Sequence, residues 1–260
     1  MLPLLKIDNM TVSFGKGTPD EHKVFENFNF TVEEGEFVSI VGSNGSGKTT
    51  LLNLISGTLR PDSGKILFKE KDISKQKEYQ RARYIGRVFQ DPQKGSCADL
   101  TILENMALAD SKNRPFGLTP AVSKKRISHY QELLSECSMG LENRLNAKVG
   151  TLSGGQRQAL ALIIANMTDI DLLLLDEHTA ALDPKSSQTV MELTEKLIRE
   201  KQITTLMVTH NLRFAVEYGS RLVMLHEGKC IRDICGEEKK NTDIDTLLEV
   251  FNDISIECGN

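Results

Sequence analysis

Gly42-Ser43-Asn44-Gly45-Ser46-Gly47-Lys48-Thr49-Thr50 follows a short apolar run and fits the spacing GxxxxGK[ST] in full. Such a loop ends a strand, wraps its backbone N–H groups around a polyphosphate and opens a helix whose N-terminus faces the anion. Glycines let the backbone approach, a lysine at position 48 reaches the outer phosphates, and a threonine at 49 offers its hydroxyl to Mg²⁺. A glycine turn beside a chance lysine is the plain alternative, but the β-rich run before it and the helical pattern after it argue against that. The motif alone does not separate ATPase, GTPase and kinase.

A second set stands further along. Leu172-Leu173-Leu174-Leu175 runs into Asp176-Glu177, so two acids emerge at the carboxyl end of a buried strand, where α/β proteins bind ligands. Asp176 suits a water-bridged Mg²⁺, and Glu177 suits polarising an attacking water as general base. Ser153-Gly154-Gly155-Gln156 precedes a helix: Ser153 is a good N-cap, the glycines permit close approach, and the N–H groups there attract an anion. On its own this loop reads equally as an ordinary cap and hinge.

The elements that must position these groups alternate. Leu4–Phe14 and Phe28–Val32 show the two-residue period of half-buried strands, and Phe37–Val41, Lys65–Phe68, Tyr84–Phe89, Leu172–Leu175, Thr204–Val208 and Leu222–Leu225 read as further strands. Helices are expected over Thr50–Gly57, Gln156–Met167, Ser186–Lys201 and Asp243–Phe251. Residues 101–145 read as mostly helical with a break near Pro115–Thr119, and Glu237-Glu238-Lys239-Lys240 as a solvated loop. Strands alternating with helices predict a mostly parallel sheet covered on both faces.

Composition narrows the classes. The 260 residues carry a net charge of −4 and 26% charged residues, which argues against a nucleic-acid binder working through bulk positive charge. No apolar run approaches the roughly 20 residues of a membrane-spanning helix, and the first residues lack a signal-peptide pattern. Cys97, Cys137, Cys230, Cys235 and Cys258 form no CxxC pair or zinc-type spacing, so free thiols of a cytosolic protein are expected.

Leu152-Ser153-Gly154-Gly155-Gln156 reads as LSGGQ, and with the order of all the other motifs the chain resembles the ATP-binding subunit of ABC transporters over essentially its whole length. The resemblance implies a P-loop ATPase of ABC type with a RecA-like, mostly parallel core, an antiparallel β subdomain and a helical signature subdomain. It would be one nucleotide-binding domain, with residues 1–90 and 168–260 as catalytic core and about 91–167 as helical subdomain. ATP and Mg²⁺ are the implied cofactors. Two subunits would pair head to tail, each signature loop facing the other chain's phosphate loop. Phe14 resembles the aromatic that stacks on adenine, and Gln90 the glutamine that touches Mg²⁺ and the lytic water. Asp183 resembles the aspartate that communicates across the dimer, and His210 the histidine on the γ-phosphate. Glu177, His210 and Gln90 are thus the implied catalytic set. Residues 42–50, Phe14, Gln90, Ser153, Gly154, Gly155, Gln156, Asp176 and Asp183 are the implied nucleotide set, and Thr49, Gln90 and Asp176 the metal set.

Two positions depart from the family's pattern. His178 stands where proline usually follows the glutamate, and Leu162 where many members have arginine. His178 is expected to face away from the phosphate. The stretch 176–184 resembles a bacterial importer subgroup whose partner lipoproteins take up small solutes, in some cases aromatic amino acids. The implied partners are therefore a second ATPase subunit in a homodimer, a separate membrane permease and an extracytoplasmic substrate-binding lipoprotein, with no nucleic acid. The implied location is the cytoplasmic face of the membrane. An exporter ATPase is the nearest alternative, and a soluble ABC protein outside transport the next.

Overall fold

A computed structural model describes residues 2–112 and 122–257 of the chain. The expected break at Pro115–Thr119 and Cys258 lie outside the described residues. The chain divides into two compact units, residues 1–77 with 205–260, and residues 78–204. The second holds the segment expected as helical subdomain, together with the strand that ends in Asp176.

In the first unit, β1 (Leu5–Phe14), β2 (His22–Val32), β4 (Ser63–Phe68) and β5 (Lys71–Asp72) form an antiparallel sheet in the order β2-β1-β4-β5. β2 starts six residues before the expected Phe28. Asn27 at φ 52° and shifts in the β1–β2 register interrupt its alternation, which hides the strand from a period-two reading. The central strand β3 (Phe37–Gly42) is buried on both faces and pairs in parallel with β8 (Thr204–Val208) and β9 (Arg221–His226). β10 (Lys229–Cys235) returns antiparallel to β9 through a tight turn at Glu227 and Gly228, both at positive φ. β10 shows no period-two pattern in the sequence because most of its residues are exposed and its core-packed isoleucines, Ile231 and Ile234, stand three apart beside a register shift between Cys230 and Arg232.

Helix α1 (Lys48–Ser56) packs on β3, and α7 (Leu212–Glu217) lies against the same strand. The acid–base run at 237–240 is not a solvated loop. It lies in a short helix, α8 (Gly236–Lys240), where Lys239 is 4% exposed and its Nζ donates to the carbonyls of Val216, Tyr218 and Gly219. Those carbonyls close the end of α7 and need donors, and the lysine supplies three at once. α9 (Ile244–Glu257) closes the unit, with Leu247 in a cluster formed by Val41, Ala215, Leu222, Met224 and Ile234.

In the second unit, β6 (Ile85–Val88) and β7 (Leu172–Asp176) run parallel, with Val88 level with Leu175. α2 (Glu78–Arg81) precedes them, and α3 (Ile102–Asp110), α4 (Ile127–Ser135), α5 (Gly154–Ala165) and α6 (Pro184–Lys201) supply the helical part. α6 is amphipathic in sequence and buries Ser187, Val190, Met191, Thr194, Leu197 and Ile198 along one face. Among the described residues no helix is long and apolar enough to cross a membrane.

Candidate nucleotide site

In the first unit, β3 delivers the chain into the 42–50 loop. A methyl group at Gly42 would lie 2.1 Å from the Leu225 carbonyl, and one at Gly47 would lie 2.7 Å from the Phe25 ring. Both glycines are demanded by the fold itself, before any ligand enters. Gly47, at φ 99°, begins α1 without a side-chain cap, whereas Thr101, Ser153, Asp183 and Asn211 cap α3, α5, α6 and α7 with their own oxygens. The first turn of α1 can therefore present its N–H groups to an anion. Lys48 is buried and its Nζ donates to the carbonyls of Gly42 and Ser43, each at 2.8 Å. Asn44, Gly45 and Thr49 are exposed, and Ser46 is buried.

Two neighbours of this loop carry no signal in the sequence. His226 Nδ1 lies 3.3 Å from Ser43 Oγ, and the Gly228 N–H donates to the Ser46 carbonyl at 3.2 Å. His226 ends β9 and Gly228 lies in the turn that follows, and no local signal links them to residues so distant in the chain. His210 follows β8, exposed, and the neighbouring Thr209 N–H donates to the Ile40 carbonyl of β3. The parallel pairing thus brings His210 and the 42–50 loop to the same end of the sheet. Phe14 ends β1 with 45% of its surface exposed, so it is no core phenylalanine.

In the second unit, the register of β6 and β7 brings Gln90, Asp176 and Glu177 to one end of the strand pair. Gln90 is exposed. Asp176 is buried and accepts from Arg87 Nη2 at 2.8 Å, while Arg87 also stacks over Phe89 at 4.7 Å. Arg87 stands one strand over from Asp176, a relation the sequence does not display. Glu177 has φ 48°, so the chain leaves β7 through a left-handed residue. Gln158, almost fully buried on α5, donates to the Phe89 carbonyl and ties that helix to the strand end before Gln90.

The loop at 152–156 is closed by a capping box. Ser153 Oγ accepts from the Gln156 N–H at 3.3 Å, and Gln156 Oε1 accepts from the Ser153 N–H at 3.2 Å. The other end of the Gln156 amide donates to the Met139 carbonyl, so this side chain clasps its own loop. Gly154 and Gly155 face the residues after β7: a methyl on Gly155 would lie 3.0 Å from Ser186 Cβ. Asp183 caps α6 by accepting from the Ser186 N–H at 3.1 Å, and the Ser186 hydrogen bonds hold its carboxyl below the usual range. A cavity of about 130 Å³ opens here, lined by Gln90, Asp91, Gly154, Arg157, Gln158, His178 and Leu182 among others. His178 itself is 2% exposed, and burial pushes its imidazole down to about 4, which keeps it neutral.

The donors assigned to the metal, a threonine hydroxyl, a glutamine amide and a carboxylate, are hard oxygens of the kind Mg²⁺ takes. Among the described residues no cluster of three or more histidine, cysteine or acidic side chains is poised to hold a metal by itself.

The family model for the ABC transporter matches residues 25–180. A tyrosine transport ATP-binding protein of Clostridioides difficile is 47% identical over 95% of this chain and 98% of its own length. The energy-coupling factor transporter ATP-binding protein EcfA2 of Acetivibrio thermocellus is 30% identical over 95% and 84%. Among solved structures, a dimeric ATP-binding cassette in a post-hydrolysis state with ADP and Pi superposes at TM-score 0.76, with 31% identity over 89% of this chain and 98% of that one. A nucleotide-free cassette from an ABC transporter superposes at TM-score 0.80, with 26% identity over the full length of both.

Proposed function

This chain belongs to the ABC transporter family as an ATP-binding, ATP-hydrolysing subunit, and we propose that it energises import of a small solute, an aromatic amino acid of the tyrosine type, through a separate permease. One observation carries this reading: the 47% identity, nearly end to end, with a protein named for tyrosine transport. The proposed assembly is a homodimer on the cytoplasmic face of the membrane, bound to the permease and served by an extracytoplasmic substrate-binding lipoprotein.

In the proposed mechanism ATP lies between the 42–50 loop of one subunit and the Ser153 loop of the other. Lys48 and the N–H groups at the start of α1 bind the phosphates, and Phe14 stacks on the base. Glu177 takes the proton of the attacking water, Gln90 orients that water, and His210 donates to the γ-phosphate. Thr49, Asp176 and Gln90 would hold Mg²⁺, which would supply positive charge to offset that of the phosphates. Asp183 relays closure across the dimer. Tight binding of ATP to the closed dimer and weaker binding of its products supplies the differential affinity that drives the permease.

Co-expression with a candidate permease and a candidate substrate-binding lipoprotein tests the assignment. ATPase activity in proteoliposomes rises when L-tyrosine and the binding protein are supplied. Stimulation by other solutes only, or by none, refutes the substrate class.

A further inference from the structure

Glu177 leaves β7 with φ 48°, a left-handed conformation that a non-glycine residue keeps only where its surroundings hold it. The turn after it is closed by the Ala180 N–H donating to the Glu177 carbonyl at 3.0 Å. The next side chain, His178, is buried, and its Nε2 lies 3.2 Å from Thr194 Oγ1 on α6. Thr194 donates its own proton to the Val190 carbonyl at 2.7 Å. The hydroxyl therefore faces the imidazole as an acceptor, and Nε2 carries the proton. Two turns earlier on the same helix face, Ser187 Oγ donates to the Thr179 carbonyl at 3.1 Å and reaches that of Leu182 at 3.4 Å. Two hydroxyls of one helix thus hold the segment immediately following Glu177.

We propose that His178 is a positioning residue for Glu177: its imidazole, donating to Thr194, fixes the left-handed turn that aims the Glu177 carboxylate off the end of β7. This rests on the reading of Glu177 as general base. It gives the departure from the usual proline a purpose. A proline at 178 would restrain only its own φ through its ring, whereas here a buried hydrogen bond to α6 holds the residue. The Glu177 geometry then depends on where α6 sits, and the cap of α6 is Asp183.

The test uses the full-length chain and steady-state hydrolysis of MgATP. Loss of the donor in His178→Leu lowers kcat roughly 10²-fold, as expected for a misplaced catalytic group, while KM for ATP changes less than about 3-fold. His178→Gln, whose Nε2–H reaches the same hydroxyl, recovers at least about 10-fold of that loss. Thr194→Val falls in the same direction and Thr194→Ser recovers, a pair that decides the matter if His178→Leu fails to fold. Unchanged kcat in both His178→Leu and Thr194→Val overturns the proposal. So does a loss that neither His178→Gln nor Thr194→Ser relieves, or one that appears in KM. Glu177→Gln in the same series separates the two ideas. If it hydrolyses ATP normally, the base reading fails. If it is inactive while His178→Leu is fully active, only the positioning role fails.

Discussion

Replacing Gly155 by alanine tests whether the signature glycines serve their own chain as well as a phosphate. The added methyl would sit 3.0 Å from Ser186 Cβ and 3.1 Å from Ser186 Oγ, against roughly 3.5–4.0 Å for comfortable contacts. Ser186 is fixed at the start of α6 by its N–H bond to Asp183, so the overlap has to move α5 against α6. Overpacking of this kind costs about 1–3 kcal/mol, and the helix propensity gained on leaving glycine offsets at most about 1 kcal/mol. The net loss is about 1–2 kcal/mol, which lowers Tm by roughly 2–8 °C in a chain of this size. Differential scanning calorimetry of the purified chain measures it. Adding Ser186→Gly removes both crowding atoms and restores Tm, with a coupling of about 1 kcal/mol between the two sites. ATPase activity is expected to stay low in that double variant, because the proposed closed dimer also needs a bare backbone at 155. Gly154→Ala is the control: it meets only the movable end of Leu182 at 3.3 Å and should cost under about 1 kcal/mol. A Gly155→Ala chain as stable as the parent, or one that Ser186→Gly does not rescue, refutes the in-chain packing argument.

Other outcomes follow from the same structure. Glu177→Gln should abolish turnover yet accumulate an ATP-bound dimer, visible by size-exclusion chromatography with labelled ATP. Normal turnover would remove Glu177 from its role. Ser153→Arg should leave ATP binding to the monomer intact while blocking dimer closure, and hydrolysis at the parent rate would disprove a role for that loop opposite the other chain. Arg221→Met strips the partner from Glu36 and Asp233, which the guanidinium reaches at 3.2 and 2.6 Å. Loss of one partner of a buried pair costs several kcal/mol, but water reaches the half-exposed Asp233, so about 2 kcal/mol is expected in urea denaturation. A loss below about 0.5 kcal/mol would show the cluster to be as weak as an ordinary surface pair.

The candidate chemistry and most of the scaffold are already legible in the order of the amino acids. Lys48 after its glycines, the acids after four leucines and LSGGQ are local patterns, and each is tied by short-range geometry to a strand end or helix start. The structure has a strand or helix at each of them. Long periodic elements such as α6 were equally legible, because a buried helix face repeats every three or four residues. The remainder appears only once the chain has folded. Lys239 reads as a surface charge until α7 presents three carbonyls to it. β10 has no apolar alternation and exists because β9 offers an edge. Arg87 meets Asp176, His226 meets Ser43, and His178 meets Thr194 only after strands and helices far apart in the chain have paired. Local propensity and periodicity act over a few residues, so they name the groups that could do chemistry. The partners that hold those groups in place come from long-range packing, which no local pattern encodes.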